Sequence, residues 1–146
     1  MIIDTLLNVD AFPVLERSAQ FAARRQDIIA NNISNISTPN FQQADVSVRD
    51  FQASLRDAID QRRARTGGVT GELNLKPSRE VTITPTGALA LKPTTFGEGV
   101  LFHDRNNRDL ERLMQDLVEN LTAFRVAGDL LRNRMQTLRS AINGRL

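Results

Sequence analysis

From Leu110 onward the chain repeats its apolar residues in a strict four-three alternation. Leu110, Met114, Leu117, Leu121 and Phe124 are followed by Gly128, Leu131, Met135, Leu138 and Ile142. A period of 3.5 held over more than four heptads marks a long helix that lays one seam against another helix. Between the seam positions stand Glu111, Arg112, Asp116, Glu119, Arg132 and Arg139, which give the other faces to water. Asn106 or Asn107 is placed to cap the first turn, with Asp109 well sited against the helix dipole, and Asn143 and Gly144 are placed to end it. Such a helix of about 36 residues would be roughly 54 Å long, which suits a rod or bundle better than a compact globule. Gly128 interrupts the seam at a cost of about 1 kcal/mol relative to alanine. Beside Ala127 it would let a partner helix come close.

A second stripe near the amino terminus supplies the partner. Pro13 suits an opening helical turn, and Leu15, Ala19, Ala22, Ile29, Ile33 and Ile36 repeat the four-three spacing, with Gln26 the polar exception and Phe21 and Ile28 on the flank. The expectation is a hairpin in which Leu15, Ala22, Ile29, Ile33 and Ile36 pack on Leu117, Leu121, Phe124, Leu131 and Leu138. A shorter helix is expected from Val48 to about Arg63, where Phe51, Leu55 and Ile59 recur every four residues. Residues 66–100 then hold six of the eight glycines and three of the five prolines, around short alternating pieces such as "VTIT" and "ALAL". That composition reads as an extended arm, partly disordered or folded into short β-hairpins.

The fold class is therefore mainly α, with long terminal helices paired as a coiled-coil hairpin and the arm between them. Four segments follow: 1–47, the amino-terminal helix and the motif after it; 48–65, the short helix; 66–100, the arm; and 101–146, the heptad helix. Both ends build one axial domain. Two helices alone bury too little apolar surface to offset the entropy of ordering them. The free chain is accordingly expected to be weakly helical, and its stability to come from other chains.

The residues offer little to catalysis. There is no cysteine, hence no thiol nucleophile, disulfide or thiolate metal site. The single histidine, His103 beside Asp104, reads as a surface or capping residue, and Asp104 and Asp109 do not share a helix face. No phosphate-binding glycine pattern or zinc spacing is present. No enzyme, no cofactor and no metal is the reading. The net charge is only +2, with arginines spread along the chain, which weakens a nucleic-acid reading. The cluster Arg62, Arg63 and Arg65 reads as a solvated, mobile exit from the short helix. The first residues, "MIIDTLLNVDAF", make a poor secretory signal, and nothing approaches a membrane span. A cytoplasmic chain is expected, or one exported without a cleaved signal.

One stretch remains, "ANNISNISTPNF" at residues 30–41, where an apolar-striped helix fills with asparagine and then meets proline. Thr38 before Pro39 is pushed out of the helical region, and Asn40 tolerates the left-handed backbone that turns the chain. This stretch resembles the "ANN-x-AN-x-x-TPG-Y" motif of the flagellar rod and hook family. Asn31, Asn32, Ile33, Asn35, Ile36, Thr38 and Pro39 fall on its pattern, with Ser34 in place of alanine, Asn40 in place of glycine and Phe41 in place of tyrosine. The likeness is carried most by residues 28–41 and next by 100–142, where "GEGVLFHDRNNRDLERLMQDLVENL" is similar to the approach to the last helix in the small proximal-rod members.

The resemblance implies a structural subunit of the proximal rod of the bacterial flagellar basal body, part of the transmission shaft between motor base and hook, with no reaction. It implies export by the flagellar type III apparatus and a place in the periplasmic rod. Its implied partners are other copies of the chain, FlgC-like rod proteins and a FliE-like base adaptor, with no nucleic acid and no membrane span. A coiled-coil adaptor or secretion chaperone, or a helical nucleic-acid binder using Arg125, Arg132, Arg134 and Arg139, would explain the heptads but not "NISTPNF".

Overall fold

The computed structural model describes residues 11–67, 70–95 and 110–144. Among them the order is α1 (Phe12–Ser34), β1 (Ala44–Asp45), α2 (Val48–Thr66), β2 (Val81–Ile83), β3 (Leu89–Leu91), β4 (Thr94–Thr95) and α3 (Leu110–Ile142). The mainly helical class and the small hairpin region between the terminal helices are as the sequence indicates. The capping residues Asn106, Asn107 and Asp109 expected for the last helix, and His103 with Asp104, lie outside the described residues.

Local chemistry sets the boundaries. α1 opens with Pro13 in its first turn and closes at Asn35, where the motif begins to turn. α2 is capped by Ser47, whose hydroxyl accepts from the Asp50 N–H at 3.1 Å. Gly67 ends α2 in the left-handed region, at φ 75°, and its N–H returns to the Arg63 carbonyl. α3 ends within the expected stretch, with the Asn143 N–H bonded to the Arg139 carbonyl and Gly144 at φ 61°.

The core lies where α1 and α2 meet the middle of the chain. Phe21 stacks on Phe51 with ring centroids 4.0 Å apart. Around them Val46, Leu55, Ala58, Leu73, Leu75, Val81 and Leu89 are buried. Each such side chain contributes about 1.5–3 kcal/mol on burial, so four core residues from 73–89 are a large addition. The β2–β3 hairpin pairs Val81 with Leu91 and Ile83 with Leu89 in antiparallel register. It is held to α1 by Arg17, which donates to the Gly87 carbonyl at 2.6 Å.

The described part of the arm, residues 70–95, is thus a wall of the core rather than a free extension. The exit from α2 is tied down as well. Arg62 is buried and donates to the Thr70 carbonyl, while Arg65 donates to the Glu72 carbonyl at 2.9 Å. Of the arginine cluster, Arg63 and Arg65 are exposed as expected, whereas Arg62 is buried, and the Thr70 carbonyl it reaches also accepts from the Thr66 hydroxyl at 2.6 Å.

α1 and α3 pair antiparallel. Asp116 of α3 faces Arg25, and Asn120, one turn later, faces Ala22, about one turn earlier on α1.

Candidate functional site

The motif after α1 divides into an inward and an outward set. Asn32 is 2 % exposed and grips one residue of the returning chain. Its Nδ2 donates to the Ala44 carbonyl at 2.7 Å, and its Oδ1 accepts from the Ala44 N–H at 3.2 Å. A buried amide that satisfies both backbone groups of one residue acts as an extra strand neighbour. Ala44 also pairs with Thr95 in the β1–β4 ladder. Asn32 therefore closes the loop of residues 33–43.

The outward set shapes that loop. Asn31 is exposed and Asn35 half-buried, and the Asn35 Nδ2 donates back to the Asn31 carbonyl at 2.9 Å and to the Asn31 Oδ1 at 3.0 Å. Thr38 bonds through its N–H to the Asn35 carbonyl at 2.9 Å, and Phe41 through its N–H to the Thr38 carbonyl at 3.2 Å. Asn40 adopts φ 60°, the only non-glycine residue with positive φ among those described. This is the left-handed turn the sequence implied, and a short amide tolerates it better than other side chains do. Thr38, Pro39 and Asn40 are exposed; Ile33, Ile36 and Phe41 are half-buried.

One residue beyond the Asn32 grip a buried charge cluster locks the loop to both long helices. Arg25 donates through Nε and Nη2 to Asp45 and through Nη2 to Asp116 on α3 at 3.3 Å. Burial works against the guanidinium charge, but the hydrogen bonds and charges of Asp45 and Asp116 outweigh it and hold the Arg25 pKa above its ordinary value. Asn120 completes the junction, donating to the Ala22 carbonyl at 2.9 Å and to Gln26 Oε1 at 2.8 Å. Gln26, the polar exception of the α1 stripe, thus has a buried partner. Arg25 and Asp45 did not stand out in the sequence, and Asp116, read there as facing water, is half-buried against Arg25. The one available signal was Asn120 within the line Leu113, Asn120, Ala127, spaced by sevens beside the apolar seam.

That line is the buried face of α3. The seam read from the sequence lies one step round the helix. Leu117, Leu121, Gly128, Leu131, Met135 and Leu138 are half-buried, while Leu110, Met114, Phe124 and Ile142 are exposed. On α1, Ala22 and Ile29 are buried, and Leu15 and Ile33 half-buried. The antiparallel register sets Asp116 and Asn120 against residues 22–26, so Leu131 and Leu138 lie toward the opposite end of the pair from Ile33 and Ile36. A Cβ added at Gly128 would meet nothing within 4 Å, so no helix of the described chain exploits that gap.

On the side facing α2, the pair leaves a cavity of about 400 Å³ between Phe21 and Arg25 of α1, Phe51 and Leu55 of α2, and Asp116 and Glu119 of α3. Among the described residues no group of acidic or histidine side chains could hold a metal ion. None of the described helices is long and apolar enough to cross a membrane. What the site offers is a hydrogen-bonded turn presented at one end of a helix pair.

Comparison with known proteins gives this geometry a family. Residues 14–42, which run from the first turn of α1 through the motif, match the family described as flagella basal body rod protein. The flagellar basal body rod protein FlgB of Borrelia hermsii is 34% identical over 100 residues, covering 66% of this chain and 68% of that protein. FlgB of Salmonella typhimurium is 24% identical over 129 residues, 88% of this chain and 90% of its own, and FlgB of Bacillus subtilis is 23% identical over 130 residues, 89% and 91%. The chain belongs to the FlgB family of flagellar basal body rod proteins.

Proposed function

We infer that the chain is a structural subunit of the flagellar basal body rod, and that its place is the proximal rod, the part of the transmission shaft nearest the motor base. The observation that supports this most directly is the closed loop after α1. Its family residues divide between an internal grip at Asn32 and an exposed tip at Thr38, Pro39 and Asn40. A subunit of a load-transmitting shaft needs contact elements that do not yield, and this tip is held from both ends by buried polar bonds.

On this reading Asn31, Asn35, Thr38, Pro39, Asn40 and Phe41 meet a neighbouring subunit. Ile33, Ile36 and the α3 seam residues pack within the chain on one flank and against neighbours on the other. The neighbours are other copies of the chain, FlgC-like rod proteins and, at the base, a FliE-like adaptor. Delivery is through the flagellar type III export apparatus, without a cleaved signal, to the periplasmic rod. Repeated contacts between non-identical surfaces give an open helical array, which is the form of a rod.

The test is a motility complementation joined to fractionation. The chain should restore swimming to cells lacking their own copy and be recovered in purified hook-basal-body particles. Recovery only in the soluble fraction, with motility unchanged by its deletion, would remove the rod assignment.

A further inference from the structure

The side of the helix pair away from α2 is apolar and unpartnered among the described residues. By the 3.6-residue period, Leu110, Met114, Val118, Leu121, Arg125 and Arg132 share the outer face of α3. Leu110 is 47 % exposed, Met114 42 % and Val118 62 %. The outer face of α1, read the same way, carries Glu16, Ala19, Ala23, Asp27 and Ala30, of which all but Ala19 are exposed. A run of large exposed apolar side chains like that of α3 is rare on a finished surface and marks a contact.

The two faces differ in complementary ways. α3 presents large apolar residues with arginines at 125, 132 and 139, spaced by sevens; α1 presents small residues with carboxylates at 16 and 27. The charges of opposite sign nearest to them, Arg24 on α1 and Glu111 and Asp129 on α3, stand one step further round their helices, and Asp129 is 3.1 Å from Arg132. Alanines let a second helix approach closely, and large residues then fill the space they leave. A parallel α3–α3 contact would set arginine beside arginine, and a parallel α1–α1 contact carboxylate beside carboxylate.

From this we propose that the outer face of α3 docks on the outer face of α1 in a second copy of the same chain. In a heterologous contact one copy uses its α3 face and the other its α1 face, so a pair keeps one free face of each kind and the array stays open. The proposal rests on the rod-subunit reading and assigns the surfaces that reading leaves unspecified. Gly128 lies on the same outer face of α3, where the absence of a side chain would be used by the neighbouring α1.

The chain contains no cysteine, so a disulfide can be introduced without background. Full-length Ala23→Cys and Val118→Cys chains are mixed at high concentration and oxidised. The mixed adduct should exceed either homodimer by roughly tenfold, as expected when only one pairing brings the two positions together. Asp27→Arg should weaken self-association by about fivefold, and adding Arg125→Glu to the partner copy should restore it. Predominant Val118–Val118 adducts, or no adduct at all, would overturn the proposal. The same variants in cells separate the two readings. If the chain is recovered in basal bodies but position 118 cross-links only to a different rod protein, the second-copy docking fails while the rod assignment stands. If the chain is absent from basal bodies, the rod assignment itself fails.

Discussion

Replacing Asn32 by alanine should destabilise the chain far more than the same change one residue earlier. Asn32 is buried, with its two bonds to Ala44 at 2.7 and 3.2 Å, while Asn31 is exposed and its side-chain Oδ1 accepts from Asn35 Nδ2 at 3.0 Å. Each bond lost at Asn32 is worth about 0.5–1.5 kcal/mol net, and leaving the Ala44 groups without partners adds a further penalty, for about 2–4 kcal/mol in total. At Asn31 the expected change is within about 0.5 kcal/mol. Urea unfolding of the purified chain, followed by helical circular dichroism, reads both. With a slope of about 2 kcal/mol/M, the midpoint should fall by roughly 1–2 M for Asn32→Ala and by under about 0.3 M for Asn31→Ala. Asn32→Asp keeps the acceptor for the Ala44 N–H but loses the donor and buries a carboxylate, so it should be no milder than alanine. Equal midpoints for the two alanine variants would refute the division of the motif into an inward grip and an outward tip. A wild-type chain with no cooperative transition would refute the core itself.

Four further outcomes are expected. Arg25→Met leaves Asp45 buried without its partner and should cost about 3–5 kcal/mol; a loss below about 1 kcal/mol in the same urea assay would show that the cluster is not an organising element. Because the Arg25 pKa is raised, its contribution is fully present below the unfolded value and is lost only as pH rises through the higher folded value, so melting between about pH 7 and pH 10 should show no arginine-linked loss. Asn40→Val places a β-branched residue at φ 60° and should cost about 1–2 kcal/mol, whereas Asn40→Gly should stay within about 1 kcal/mol of wild type by thermal melting. Gly128→Ala should stabilise the isolated chain by about 1 kcal/mol while lowering its incorporation into basal bodies, and Met114→Asp should block incorporation with the melt unchanged within about 0.5 kcal/mol; unimpaired incorporation of either variant would count against the outer face of α3 as a contact.

Periodicity made the long helices legible because an apolar repeat must face something, whichever partner it finds. It located α1, α2 and the described length of α3 to within a turn. It placed the turn at Pro39 and Asn40, because proline and a left-handed backbone are decided by local sterics. The middle of the chain was not legible in the same way. Leu73, Leu75, Val81 and Leu89 stand among glycines and prolines in runs too short to show a period, yet each is buried against α1 or α2. Reading them as an arm removed their burial from the balance, and that led to the expectation of a weakly helical free chain. With them restored, a folded unit built on Phe21 and Phe51 is the physical expectation.

The seam itself carries the last step. A heptad repeat specifies that a helix face will be covered but not which neighbour covers it. In this chain α1 meets α3 through Leu113, Ala127 and the bonded pair Asn120 and Gln26, one step off the apolar centre. Asn120 and the Arg25–Asp116 contact fix that rotation, since a roll of α3 toward its apolar centre would strip buried polar groups of their partners. Polar bonds inside the chain thereby hold Met114 and Val118 outward, where a neighbouring chain can reach them. Asn120→Leu is the substitution that separates the two effects. Without the Asn120 bonds α3 can roll toward its apolar centre only by giving up the Arg25–Asp116 contact, so monomer stability should change little while Met114 becomes buried and incorporation into the rod falls. A variant that buried Met114 and still assembled normally would show that the rotation of α3 does not matter for assembly.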